Sequence, residues 1–223
     1  MIVVLFDIDG TLVRTGGAGK AAIEAALVEE FQVELAADGV LYSGRTDRAI
    51  SKDLLRIHGV PISDDNINRL LNNYLQRLPA ALTRIPGKIL PGVDDLLTRL
   101  QPHPAIRLGL LTGNVRLGAR HKLAHFGLWE YFHFGGFGDH YEDRDDVARA
   151  ALREAEQQCG ELTPDQVWVI GDTPLDVRCA RAIGARSIAV ATGWHSLEEL
   201  HATGADYVLP DLTEPESLLA LWL

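Results

Sequence analysis

Two carboxylates, Asp7 and Asp9, stand one residue apart behind the apolar run Ile2–Phe6 in "MIVVLFDIDGTLV". In an extended chain, residues two apart point the same way, so the pair would repel itself unless a cation or a proton were shared. The spacing therefore suits either a divalent metal site or an acid/base pair. Asp-Gly-Thr is also an ordinary turn after a strand, and Asp9–Gly10 on its own does not exclude that. Other acids and small polar residues recur in comparable settings: Thr112, Gly113 and Asn114 in "LLTGN", and Asp172 and Asp176 in "GDTPLD".

These residues need a scaffold that collects them. Ile2–Phe6 is β-branched or aromatic with almost no polar alternation, as in a strand buried on both faces of a parallel sheet. "IRLGLLTG" (106–113), "QVWVIGD" (166–172) and "RSIAVATG" (186–193) resemble it, each ending in a Gly-containing polar turn. Helical patterns occur at about 115–126, 144–159 and 175–183, giving the βαβ alternation of an open α/β sheet with helices on both faces. "YFHFGGFG" (131–138) and "DYVLP" (206–210) supply further short strands, the second closed by Pro210. In such sheets ligands collect beyond the carboxyl ends of the strands. Three separate strands would deliver acids or small hydrogen-bonding residues to one edge, an agreement that independent turns would not produce.

Between about residues 15 and 89 the pattern changes. "AAIEAALVEEF", "TDRAISKDLLRIHG" and "DDNINRLLNNYLQRL" are amphipathic helices, and no strand is evident. "RTGGAG" and "IPGKILPGV" punctuate the two ends as linkers. The expected organisation is a core of residues 1–14 and 90–223 with a small helical domain, 15–89, inserted in it. "GGAGKA" fails as a nucleotide-binding loop, because Arg14 replaces its first glycine and Ala21 the Ser/Thr that would bind magnesium; a flexible linker is expected there.

The chain has 223 residues and a formal net charge of −10. That charge argues against general affinity for nucleic-acid backbone or anionic membranes. The opening apolar run is too short and lacks the basic start of a signal peptide, and no stretch has the length of a membrane span, so a cytoplasmic protein is expected. Cys159 and Cys179 read as reduced, packed thiols.

"DIDGT", "LLTGN" and "GDTPLD", in this order and approximate spacing, resemble the signature motifs of the haloacid dehalogenase-like hydrolase superfamily, and the resemblance spans the whole chain. The insert resembles the helical cap of its phosphoglycolate phosphatase and β-phosphoglucomutase branch. The resemblance implies a Rossmann-like core and an Mg2+-dependent phosphatase acting on a small phosphate ester, with Asp7 as phosphoryl-accepting nucleophile and Asp9 as general acid/base. It implies that Thr112 holds the phosphate, that Gly10, Thr11, Gly113 and Asn114 bind substrate, and that Asp7, Asp9 (through its carbonyl), Asp172 and Asp176 form the metal site. An acid at position 9 favours phosphoryl transfer over dehalogenation, since halide needs no proton to leave.

The family's basic residue ahead of the last motif is generally Lys, and "GDHYEDRDDVARAAL" has none. Arg144, at the start of a helix after a strand, is the expected stand-in. Lys122 is the alternative, but it lies more than two turns into its helix, about 12 Å along the axis from the strand end. Arg45 in "YSGRTDRA" either reaches substrate or lies idle at a helix start, where Thr46 or Asp47 would cap. His121 and His125 lack the Glu of a zinc-protease motif. The acids around His140 read as a solvated loop. Competing functions are a phosphomutase using the same aspartyl-phosphate, a phosphonate-cleaving enzyme, and a non-catalytic binding protein; the intact acid set counts against the last.

Overall fold

The computed structural model describes residues 1–35 and 39–222. Six parallel strands form the main sheet: β1 (Ile2–Phe6), β4 (Ile106–Leu111), β5 (Phe134–Gly136), β6 (Val167–Gly171), β7 (Arg186–Val190) and β8 (Tyr207–Leu209). Their order is β5-β4-β1-β6-β7-β8. β1 pairs with β4 on one side and β6 on the other, so the chain reverses its direction of winding at β1. That reversal opens a crevice at the carboxyl end of β1, the usual ligand position in an open α/β sheet.

The central strands are apolar throughout because both faces are covered. Val4 and Phe6 face a cluster with Leu108, Leu110, Ile170 and Ile188, packed beneath α4 (Val93–Leu100), α5 (Arg116–His125) and α9 (Pro215–Trp222). Val3 and Leu5, on the opposite face of the pleat, join Val167, Val169 and Ala151 under α6 (Arg144–Cys159) and α7 (Pro174–Ala182). The short helix α8 (Leu197–Ala202) lies between β7 and β8. The expected helices coincide with α5, α6 and α7 to within a residue or two; α4, α8 and α9 are additional.

The insert comprises α1 (Ala18–Phe31), α2 (Asp47–Ile57) and α3 (Asp64–Arg84). The buried faces of these helices pack around Ile23, Leu27, Leu54, Leu55, Leu70, Tyr74 and Leu78, and Val115, just ahead of α5, belongs to the same cluster. Two differences from the sequence expectation stand out. The stretch expected as a linker ends at Gly17, whose φ of +94° starts α1, so Gly19 and Lys20 are helical. A two-stranded antiparallel ribbon, β2 (Val13–Arg14) with β3 (Lys88–Ile89), ties the entrance of the insert to its exit. Two-residue strands are too short to leave a pattern in the sequence.

Candidate active site

β1 ends at Phe6, and the Asp7 amide continues the ladder by donating to Ile170 O at 2.9 Å. The Asp7 carboxylate is thereby fixed at the sheet edge and buried. β6 delivers Asp172, and the first turn of α7 delivers Asp176. Ligand oxygens of Asp7, Asp172 and Asp176 all lie within 4.8 Å of one another, the one such group of three or more among the described residues.

Glycines make room for this cluster. A Cβ at Gly10, whose φ is +91°, would fall 2.4 Å from Asp172 Oδ2, and one at Gly193 would fall 1.7 Å from the same atom. Thr11 Oγ1 donates to Asp172 Oδ1 at 3.1 Å. Thr173 caps α7 while donating to Asp176 Oδ2 from both its amide (3.0 Å) and its hydroxyl (2.8 Å). Arg144, itself buried, lies against the cluster: Nη1 is 3.4 Å from Asp7 Oδ1, and Nη2 makes a short contact with Asp176.

Three buried carboxylates facing one guanidinium are underneutralised. Burial, then the charge of Asp176, pushes the Asp7 carboxyl up to about 7 despite Arg144. Asp172 is raised well above the ordinary range by burial and by its two acidic neighbours. Hard oxygen donors, excess negative charge and a glycine-lined cradle fit a small divalent cation such as Mg2+.

Asp9 belongs to a different set of contacts. Lys122 Nζ donates to Asp9 Oδ2 at 2.5 Å and to Asn114 Oδ1 at 2.6 Å, while Asn114 Nδ2 donates to Asp9 Oδ2 at 2.9 Å. Asn114 Nδ2 also donates to Thr112 Oγ1 at 2.8 Å, which joins β4's end to the same network. Burial works against the Lys122 charge, but Asp9 and Asp47 outweigh it and raise the ammonium's pKa. Lys122 therefore reaches the site in spite of the axial distance that set it apart in the sequence. A helical side chain leans toward the N-terminus, and the lysine stem bridges the remaining distance. Lys122 and Arg144 are both present at the sheet edge, one on Asp9 and the other on Asp7 and Asp176.

Arg45 is placed otherwise. Its guanidinium pairs with Asp53 at 2.5 Å on α2, beside a cavity of about 380 Å³ that Gly44, Arg144, Leu175 and Arg178 also line. Thr46, not Asp47, caps α2 by accepting from Ala49 N. His121 and His125 join no cluster of potential metal ligands among the described residues. The acids near His140 are engaged, Asp143 and Asp145 with Arg178 and Glu142 with Lys52.

Four participants escaped the sequence reading. Thr192 Oγ1 donates to Gly10 O at 2.5 Å, and Gly193 abuts Asp172; both end the strand pattern "RSIAVATG", which was the available signal. Tyr74 of α3 is buried near Lys122, and burial, then Asp47 and Asp9, holds its phenol protonated. Asp47 crosses from the insert to the core. Helical periodicity marks Tyr74 and Asp47 only as one core position and one cap candidate.

A parallel sheet that winds outward from β1, acids gathered at its carboxyl edge and helices inserted behind the first acidic turn define an open, Rossmann-like α/β fold with an acidic site at the switch point. The chain belongs to the haloacid dehalogenase-like hydrolase family, whose profile matches residues 4–190. "Probable phosphatase IndB" of Dickeya dadantii is 26% identical over 220 residues, spanning 95% of this chain and 90% of that protein. Phosphoglycolate phosphatase of Escherichia coli is 25% identical over 231 residues, spanning 95% and 89%. Among solved structures, CbbY of Rhodobacter sphaeroides, determined in complex with phosphate, superimposes with a TM-score of 0.76 at 23% identity over 96% of both chains.

Proposed function

We propose that this chain is an Mg2+-dependent phosphatase that hydrolyses a small phosphorylated metabolite through an aspartyl-phosphate on Asp7. The observation that carries the reading is the separation of the two acids of "DID". Asp7 lies in a buried group with Asp172 and Asp176, while Asp9 turns to Lys122 and Asn114. Similarity over nearly the whole chain to phosphoglycolate phosphatase of Escherichia coli and to "Probable phosphatase IndB" of Dickeya dadantii supports the reaction class.

A divalent cation bound by Asp7, Asp172, Asp176 and the Asp9 carbonyl would offset the charge of carboxylate and phosphate. Asp7 Oδ attacks phosphorus and the ester oxygen leaves, taking a proton from Asp9. Water then attacks the acyl phosphate and gives its proton to Asp9, restoring the Asp7 carboxylate and releasing orthophosphate. Lys122 and Asn114 fix the Asp9 rotamer for both transfers. Thr112 and the Gly113 backbone hold phosphoryl oxygens, and Arg144 fixes the Asp7 carboxylate. Residues 15–89 act as a cap over a core of 1–14 and 90–223, and the part of the substrate beyond the phosphate is read by the cap.

No helix among the described residues is long and apolar enough to cross a membrane. Free Cys159 and Cys179 suit a reducing cytoplasm, where we place the reaction. The test is phosphate release from a panel of phosphate esters with Mg2+ and with EDTA. Asp7→Asn should abolish release without unfolding the protein; turnover by that variant, or turnover indifferent to EDTA, would overturn the mechanism. Transfer of phosphate to a sugar phosphate instead of water would make the enzyme a mutase.

A further inference from the structure

Helix α5 carries Lys122 and begins right after Asn114, yet its N-cap residue, Val115, has no side chain able to cap it. The first amides are satisfied from elsewhere. Asp139 Oδ2 accepts from Arg116 N at 2.8 Å, and Asp47 Oδ2, from the insert, accepts from Val115 N at 2.8 Å. The Asp47 amide donates to Gly113 O at 2.8 Å, so one residue of the insert grips the core loop on both sides of Asn114.

The fit around this contact is close. A Cβ on Gly113 would lie 2.1 Å from Arg45 O, and one on Gly138 would lie 2.2 Å from Gly113 O and 3.1 Å from Thr46 Cβ. Asp47 is buried, and its carboxylate meets the positive end of α5, a favourable place for an anion. The Thr112–Asn114 loop is thus held in its geometry by a group that belongs to another folding unit.

We infer that Asp47 is a positioning residue: by capping α5 across the boundary between insert and core, it sets the loop that binds phosphate and, through Asn114 and Lys122, orients Asp9. This rests on the phosphatase reading for its catalytic consequence, but the loop geometry does not depend on that reading. Cap closure and assembly of the phosphate site then become one event, because an insert that swings away takes the α5 cap with it.

The test compares Asp47→Ala, which deletes the acceptor, with Asp47→Asn, which keeps one, and with Lys52→Ala, which removes only the surface pair to Glu142. Three measurements are made on the Mg2+-loaded protein: hydrogen exchange at the Val115 amide, orthophosphate binding by calorimetry, and kcat and KM on p-nitrophenyl phosphate. Asp47→Ala should speed Val115 exchange and weaken orthophosphate binding by about tenfold each, with a matching fall in kcat. Asp47→Asn should recover most of all three, and Lys52→Ala should stay within about twofold of wild type. If Asp47→Ala does not fold, Val115→Pro removes the same hydrogen bond from the other partner, since the Val115 φ of −64° suits proline, and orthophosphate binding and kcat, which should fall as predicted for Asp47→Ala, are then the readouts, because proline has no amide to exchange. Unchanged exchange and phosphate affinity in Asp47→Ala, or equal losses in Asp47→Asn and Asp47→Ala, would overturn the inference. A wild type that releases no phosphate from any ester would instead overturn the phosphatase reading, while exchange and orthophosphate binding would still decide the role of Asp47.

Discussion

Lys122 Nζ lies 2.5 Å from Asp9 Oδ2, although 113 positions separate the two residues in the chain. The contact joins the middle of α5 to the turn after β1, and both groups also touch Asn114. A buried ammonium in contact with a single carboxylate holds that carboxylate in place through a charge-assisted hydrogen bond. Arg144 occupies the equivalent position for Asp7, so the two acids are served by different cations.

That division of labour predicts distinct phenotypes. Lys122→Ala should lower kcat by about 100-fold and shift the pH profile of kcat, with Mg2+ affinity within about threefold of wild type. Arg144→Ala should lower kcat by a comparable factor while changing Mg2+ affinity, because its partners Asp7 and Asp176 are the proposed ligands. Steady-state kinetics across pH and Mg2+ concentration separates the two patterns.

The raised Asp7 carboxyl has a sign that stability measurements can read. Its ordinary pKa of 3.8 in the unfolded chain becomes about 7 in the metal-free fold. The folded state therefore binds more protons between those values, so this contribution to stability is full below about pH 4 and is lost as pH rises through about 7. EDTA-treated protein should show a Tm lower at pH 8 than at pH 5.5 by at least about 5 °C, with Mg2+ restoring it at pH 8. Asp7→Asn should reduce the dependence in the metal-free protein, leaving the part that the raised Asp172 contributes.

Gly193 is predicted to tolerate no side chain. Even Ala would place its Cβ 1.7 Å from Asp172 Oδ2, and the carboxylate would have to leave the acid cluster. Gly193→Ala should weaken Mg2+ binding and lower kcat/KM by about 100-fold or more while circular dichroism remains native. A variant with wild-type Mg2+ affinity would remove Gly193 from the cradle.

Arg45 tests the recognition role proposed for the insert. Its guanidinium lies on Asp53 at the edge of the cavity beside Arg144, from which it can turn toward a substrate. Arg45→Ala should lower kcat/KM for the best ester by about tenfold and leave p-nitrophenyl phosphate hydrolysis nearly unchanged. Equal losses on both substrates would assign Arg45 to folding or core chemistry.

The acids at the sheet edge were legible because parallel strands announce themselves as apolar runs, and the residues just past such a run lie at the crevice. Asp7, Thr112 and Asp172 needed only that rule. The α6 boundary at Arg144 was likewise readable from a polar loop giving way to a helical period. Lys122 was harder, since counting helical rise places a Cα and says nothing of a long side chain that leans back along the helix. Asp47 and Tyr74 were hidden for a different reason. Their significance arises where the insert packs on the core, and one sequence carries no local pattern for a contact between units that fold around separate hydrophobic clusters. The β2–β3 ribbon was missed because two-residue strands have no period to detect.

That ribbon has a consequence for rebuilding the molecule. Val13 faces Ile89 and Arg14 faces Lys88 across an antiparallel pair, so the chain departs and returns at neighbouring points about 5 Å apart. A tight two-residue turn closes such a pair in ordinary hairpins. Replacing the residues between them, the proposed cap, with another helical unit should therefore leave the path of the six-stranded sheet unchanged. Any transplant that omits a carboxylate at the position of Asp47 would leave the Val115 amide bare, so an exchange of recognition modules must carry its own stopper for α5.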